Sequence, residues 1–313
     1  MVSIVPAGQL VVGMQLPVQA QSRLFCEPWE TTAGVAELLA VAQAADRSGF
    51  FYIAVCDHVA IPRAMAEAMG TTWYDTMTTL GFLAAATTTT RLLSHVLTLS
   101  YRHPLATAKG VCTLDALSGG RAVLGVGAGH VQGEFDALGI DFSGRGALLD
   151  SNLDVVVAAM TEEFPDCGGA YGVAGQLGVS PRPVQSPRPP VWVGGSSAAA
   201  VRRAAERGDG WLPQGTPRDQ MGPLVASLVE QRRAVRDDAC DVGAITEWLY
   251  VGQPGWETGR ETLRGSAQEL AASLRDYAAM GVSHLQVRFP SRSAAELVDQ
   301  VEAFGAEVLP LLS

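Results

Sequence analysis

Lysine is nearly missing from this chain: of its 22 basic residues 21 are arginine and one is Lys109, and no basic run exceeds two residues. With 32 acidic residues the net charge is −10. Non-specific nucleic-acid binding needs a clustered positive field, so that class of partner is excluded. Cysteine is also scarce. Cys26, Cys56, Cys112, Cys167 and Cys240 are odd in number, widely spaced and contain no C-x-x-C pair. A disulfide framework or zinc knuckle does not fit this pattern, and buried free thiols do. No stretch of about 18 residues is free of polar side chains and breakers, which excludes a transmembrane helix. The first 22 residues carry no side-chain charge, but they lack a basic leading segment and are interrupted by Pro6, Gln9, Gln15 and Pro17. They read as an N-terminal strand of a cytoplasmic protein and not as a secretion signal.

What is present is a large apolar fraction, 48% against 17% charged, enough for a sizeable core in 313 residues. QLVVGMQL, FFYIAVC, RLLSHVLTL, RAVLGVG, PVWVGG, DGWLP, AITEWLYVG and VSHLQVRF read as eight buried strands. Between them lie helical patterns at 35–47, about 75–89, 104–117, about 146–162, 198–207, about 217–237, about 266–280 and about 293–309. Strands alternating with helices imply parallel βαβ units. Eight such units predict an α/β protein of the (β/α)8 TIM-barrel class. The proline- and glycine-rich segment at about 165–190 reads as an insertion loop inside one domain spanning 1–313, because the alternation resumes after it.

Common cofactor and hydrolase motifs fail. A G-x-G-x-x-G starting at Gly125 meets His130 where glycine is needed, and one starting at Gly127 meets Gln132. Lys109 has no glycine-rich loop before it, and neither G-x-S-x-G nor H-E-x-x-H occurs. The five histidines are scattered, so no metal site is expected.

In a barrel the chemistry lies at the carboxyl ends of the strands. Asp57 and His58 end the second strand, where an aspartate beside a histidine can orient an imidazole for proton transfer, or merely cap a loop. His95 lies in the third strand, with Thr98 at its end. Gly127, Ala128 and Gly129 end the fourth, where small residues either admit a flat ring or phosphate to the backbone or form a tight turn. Gly194, Gly195, Ser196 and Ser197 join a strand to a helix N-terminus, offering amides, hydroxyls and a favourable dipole to a phosphate. Plain N-capping by a serine is the alternative. Arg288, near the end of the last strand, suits an anionic group or a surface ion pair, and Trp192 and Trp211 suit core or pocket wall.

AVCDHVAIP, YRHPLATAKGVCTLDALSGGRAVLGVGAGHVQGEFDALGI and PRPPVWVGGSSAAAVRRAAERGDGWLP together resemble the luciferase-like monooxygenase superfamily, and within it the coenzyme F420-dependent (deazaflavin) branch. The resemblance runs from about residue 10 to 290. It implies a ring system lying across the strand ends, touched by Asp57 and His58, with His58 handling a proton. It implies a non-prolyl cis peptide near His95 and Val96 behind the ring, with Thr98 and Gly127–Gly129 lining the pocket. It implies a phosphate held by Gly194–Ser197. The deazaflavin-dependent sugar-phosphate dehydrogenases have Glu where this chain has His130 and Trp where it has Pro62, which disfavours that substrate and leaves His130 as a second acid/base or part of the rim.

Three functions follow from the resemblance. A deazaflavin enzyme would transfer a hydride to or from a small organic substrate. An FMN-dependent monooxygenase would need a reductase partner or another source of reduced flavin. A non-catalytic flavin-binding relative is the third. Relatives often dimerise, so a homodimer is an allowed assembly.

Overall fold

A computed structural model of the chain describes residues 3–166, 175–236 and 238–312. Its strands are β1 (Val11–Gln15), β2 (Tyr52–Val55), β3 (Arg91–Ser94), β4 (Leu97–Thr98), β5 (Ala122–Gly127), β6 (Val191–Gly194), β7 (Gly210–Leu212), β8 (Asp241–Val251), β9 (Thr262–Gly265) and β10 (His284–Arg288). The helices are α1 (Val35–Arg47), α2 (Ala66–Met69), α3 (Thr76–Ala86), α4 (Pro104–Ser118), α5 (Gln132–Leu138), α6 (Arg145–Thr161), α7 (Ala198–Arg207), α8 (Arg218–Val235), α9 (Ala267–Ala279) and α10 (Ala294–Ala303). Each strand pairs in parallel with its neighbours, and β10 pairs with both β1 and β8, so the sheet closes on itself. This is the eight-stave (β/α)8 barrel expected from the alternation, with helices between the staves.

Several departures from the sequence reading have local causes. The third stave is split into β3 and β4, because it holds one residue more than β5 between the registers Leu93↔Val123 and Leu97↔Val126. A bulge of this kind bends its strand and re-aims the side chains beyond it. The His95–Val96 peptide at the bulge is cis, where the family resemblance places it. β9 was not anticipated; it extends β8 beyond the stave, pairing Trp248–Val251 with Thr262–Gly265. The helix expected over 293–309 is α10 to Ala303, then a π-helical turn over Phe304–Val308. The described parts of segment 165–190 carry neither helix nor strand, while 167–174, with Cys167, lie outside the described residues. The other four cysteines are free thiols, Cys26 and Cys112 buried, Cys56 and Cys240 partly so.

The staves alternate between two cores. Outward side chains meet the apolar stripes of the helices in one large cluster. Inward ones, among them Tyr52, Leu93, Val123, Trp192 and Leu212, fill the barrel itself. At the amino end the barrel is sealed: Asp241 accepts bonds from Ser3 Oγ at 2.7 Å, the Ile4 amide at 2.9 Å, the Val5 amide at 3.2 Å and Trp192 Nε1 at 3.2 Å. The open end is therefore the carboxyl end. No helix among the described residues is long and apolar enough to cross a membrane.

The bulge depends on glycine opposite it. A Cβ on Gly125 would stand 1.9 Å from the Ser94 carbonyl oxygen, and one on Gly127 would stand 2.5 Å from Val96 Cγ2. Ser94 Oγ donates to the Gly125 carbonyl at 2.9 Å and accepts from its amide at 3.0 Å, locking the two strands at that distance. Gly125→Ala should therefore lower unfolding free energy in urea by roughly 3 kcal/mol or more through overpacking against backbone. Gly81→Ala in α3, where an added Cβ meets nothing within 4 Å, should raise it by about 0.5–1 kcal/mol.

Candidate active site

The strand period of two sorts the residues at the end of β2. Tyr52 and Ala54 face the barrel interior, so Cys56 and His58 follow on that side and Asp57 points to the helix layer. Asp57 is buried, at 5% exposure. Its Oδ1 takes Arg102 Nη2 at 2.5 Å and Thr76 Oγ1 at 3.0 Å, and its Oδ2 takes the Thr98 amide at 2.8 Å. Asp57 thus ties the loops after the second and third staves together and does not hold the neighbouring imidazole.

The partner of His58 comes from α5. His58 Nδ1 lies 2.7 Å from Glu134 Oε2, while Glu134 Oε1 accepts the Val59 amide at 2.6 Å and the Ala60 amide at 3.1 Å. Glu134 is only 2% exposed. Burial opposes its ionised form, but the bonds from His58 and the two amides outweigh that and hold its carboxyl below the ordinary range. Glu134 therefore carries a full charge at neutral pH and keeps the Nδ1 proton on His58, which leaves Nε2 as the nitrogen able to meet a ligand. Gly133 permits this docking, since a Cβ there would stand 2.6 Å from Pro62 Cγ.

Two rings complete the wall: Trp73 packs edge-on to His58 with centroids 4.4 Å apart, and His130 does so at 5.5 Å. Burial, and then the nearby His58, push the His130 pKa below its usual value, so His130 is neutral at physiological pH. His95 lies deeper, almost wholly buried. Burial and then the charge of Arg288 push its pKa down to about 4, and its Nδ1 has no hydrogen-bond partner among the described residues.

The remaining sequence candidates separate into two groups. Val96, Thr98 and Gly127–Gly129 meet at the bulge, but the space the glycines leave is taken by the chain itself: Val96 over Gly127, and Thr98 with Phe135 over Gly129. Ala128 packs against the outer core. Gly194 is also roofed by Val96. Beyond it, the Gly195 carbonyl accepts Trp211 Nε1 at 2.8 Å, and Ser197 caps α7 by accepting the Ala200 amide at 3.2 Å. Ser196 instead lines a cleft of about 350 Å³ with Gly215, Thr216, Asp219 and Gln220. Thr216 Oγ1 is buried with no hydrogen-bond partner among the described residues. A hydroxyl pair in a cleft between two βα loops can hold a phosphate or a cofactor tail, with Asp219 setting a negative limit on one side.

Sequence reasoning missed Glu134 and Arg102. An acidic residue in the first turn of Q-G-E-F-D-A-L, stopped by Gly139, is a helix signal that would have found α5. Nothing local marks Arg102 as the partner of Asp57.

A part-buried imidazole clamped by a carboxylate lies at the carboxyl end of a closed parallel barrel, the end at which such barrels carry their sites. Residues 14–248 match the sequence model of the luciferase-like monooxygenases, and the chain belongs to that family. The uncharacterized protein Rv0940c of Mycobacterium tuberculosis is 30% identical over 204 residues, covering 61% of this chain and 70% of the relative. Three solved structures share the fold at low identity. The monooxygenase RslO1 from Streptomyces bottropensis superposes with a TM-score of 0.80 at 21% identity, covering 97% of this chain and 100% of its own. An F420-dependent secondary alcohol dehydrogenase bound to an F420–acetone adduct gives 0.77 at 15%, covering 97% and 99%. The riboflavin lyase RcaE with modified FMN gives 0.75 at 14%, covering 97% and 91%.

The two neighbours at the end of β2 should behave differently on substitution. Asp57→Ala leaves Arg102 half-buried without its carboxylate and should lower stability by about 3 kcal/mol. His58→Ala should cost about 1–2 kcal/mol, because Glu134 loses the partner of one oxygen and keeps the two amides on the other. Urea denaturation of the two variants side by side checks this.

Proposed function

We propose that the protein is a deazaflavin (coenzyme F420)-dependent oxidoreductase that moves a hydride between its cofactor and a small organic substrate, with His58 handling the accompanying proton. The observation that carries this reading is the His58–Glu134 pair, which occupies Nδ1 and so leaves Nε2 as the nitrogen for a ligand. Glu134 stabilises the imidazolium that forms when Nε2 takes a proton, and the bond through Nδ1 prevents the ring from turning away. Trp73 packs edge-on against the His58 ring, and the exposed His130 stands beside it.

The residues present fit such a cofactor. Ser196 and the unsatisfied Thr216 hydroxyl would hold its phosphate, and the bulge at His95–Val96 would back its ring system. A deazaflavin supplies a carbon that donates or accepts hydride and reacts poorly with oxygen. A second reading, an FMN-dependent monooxygenase fed by a reductase, is favoured by the TM-score of 0.80 to a monooxygenase.

Titration of the purified protein with coenzyme F420 and, separately, with FMN, followed by fluorescence and absorbance, tests both. Tight binding of F420 alone supports the proposal, preference for FMN transfers it to the second reading, and binding of neither overturns both. In the turnover assay that follows, His58→Ala should lower kcat by about 100-fold or more while cofactor affinity stays within about threefold. Ser196→Ala should weaken cofactor binding and spare kcat. Full turnover by His58→Ala would sink the proton assignment.

A further inference from the structure

The inward file of β10 runs His284, Gln286, Arg288. His284 is accounted for, stacked on Trp192 with centroids 4.1 Å apart and edge-on to Tyr52. Gln286 is not: it is fully buried, and both its amide nitrogen and its carbonyl oxygen lack hydrogen-bond partners among the described residues. Arg288 stands above it at the mouth. One terminal nitrogen donates to Gln15 Oε1 at 2.6 Å, Nε has no partner among the described residues, and the guanidinium lies over Phe25 at 4.5 Å and near Trp248 at 6.0 Å.

No carboxylate lies within ion-pair distance of Arg288 among the described residues, whereas buried Arg188, Arg203 and Arg232 each pair with an aspartate. Arg121, also buried, spends its donors on carbonyls of Ala84, Thr87, Thr90 and Ser118. A guanidinium does not shed its proton to escape burial, so Arg288 stays charged and uncompensated. Glu30 lines the same cavity as Arg288 but has committed its oxygens to the Val18 and Glu27 amides, and burial raises its pKa to about 7, so it is only part-ionised at neutral pH. Arg260, paired with Glu27, adds positive potential on the same side.

Gln15, Phe25, Glu30, Trp248 and Arg288 line a cavity of about 40 Å³, with Gln286 in the layer beneath it. At about 10–15 Å³ for one water, that is room for roughly three waters, the size of a headgroup and not of a whole substrate. Val287 pairs with Met14, and Gln15 pairs with Ala54 on β2, so Arg288 and His58 lie at the same carboxyl end of neighbouring parallel staves.

We infer that the substrate carries a carboxylate, seated on the fork of Arg288 and assisted by the amide of Gln15, while its reacting end extends toward His58. The planar fork, lying over Phe25, matches a carboxylate in two parallel hydrogen bonds. The role given to His58 rests on the oxidoreductase reading, but the seat itself does not need turnover to be tested.

Acetate and benzoate, with acetamide and benzamide as neutral isosteres, are titrated into the full-length protein while tryptophan fluorescence and Tm are recorded. At least one carboxylate should bind and raise Tm, and its amide should bind at least tenfold more weakly. Arg288→Gln should weaken the carboxylate at least tenfold, keep cofactor affinity, and have a Tm equal to or above that of the parent, because an unpaired, partly buried charge has been removed. Binding of neither carboxylate, equal binding of acid and amide, or undiminished binding to Arg288→Gln overturns the inference. If Arg288→Gln does not fold, Arg288→Lys, which keeps the charge but not the fork, serves instead, with intermediate affinity expected and unchanged affinity overturning the fork. Carboxylate binding without cofactor binding sinks the oxidoreductase reading alone, and the reverse sinks the seat alone.

Discussion

Closing eight parallel strands into a barrel forces each to alternate, one side chain into the interior and the next toward the helices. On β2 that alternation separates two adjacent polar residues into different jobs. Asp57 goes outward, where it meets Arg102 and the Thr98 amide and fastens two loops. His58 goes inward, where a carboxylate from another segment, Glu134, must be brought to it. The same alternation lines up His284, Gln286 and Arg288 on one file, so that an aromatic layer, a buried amide and a cation follow one another toward the open end.

The architecture was legible because alternating apolar runs and helical stripes are local signals. α1 and α7 run over the very residues marked by their apolar spacing, bounded by Gly49 after one and Ser197 before the other. The split of the third stave was not readable from periodicity, since the bulge arises from a register difference between β3 and β5 that exists only once they pair. β9 was missed because TLRG is too short to show a period.

At the site, the end of β2 was legible as a place and less so as a set of contacts. Adjacency in sequence suggested that Asp57 would orient His58, but consecutive strand residues point to opposite faces and rarely touch. The true partner lies 76 residues away. The glycines of VGAGH and VGGSS illustrate a related point, since small residues at a mouth admit either a ligand or the chain's own atoms. Here Val96 occupies the space above Gly127 and Gly194. Ser196 and Ser197, identical neighbours in sequence, separate in the same way into one that lines a cleft and one that caps a helix.

The seal at the amino end also sets an order of assembly. Asp241 holds residues 3–5 across separations of 236 to 238 positions, and β1 completes its pairing only with β10. During synthesis the first stave must wait with one edge unpaired until β10 has emerged. Pairing of segments so far apart in sequence forms slowly, which makes the joining of β10 to β1 a late step. Until it happens the nascent chain exposes an apolar strand edge of the kind that recruits chaperones.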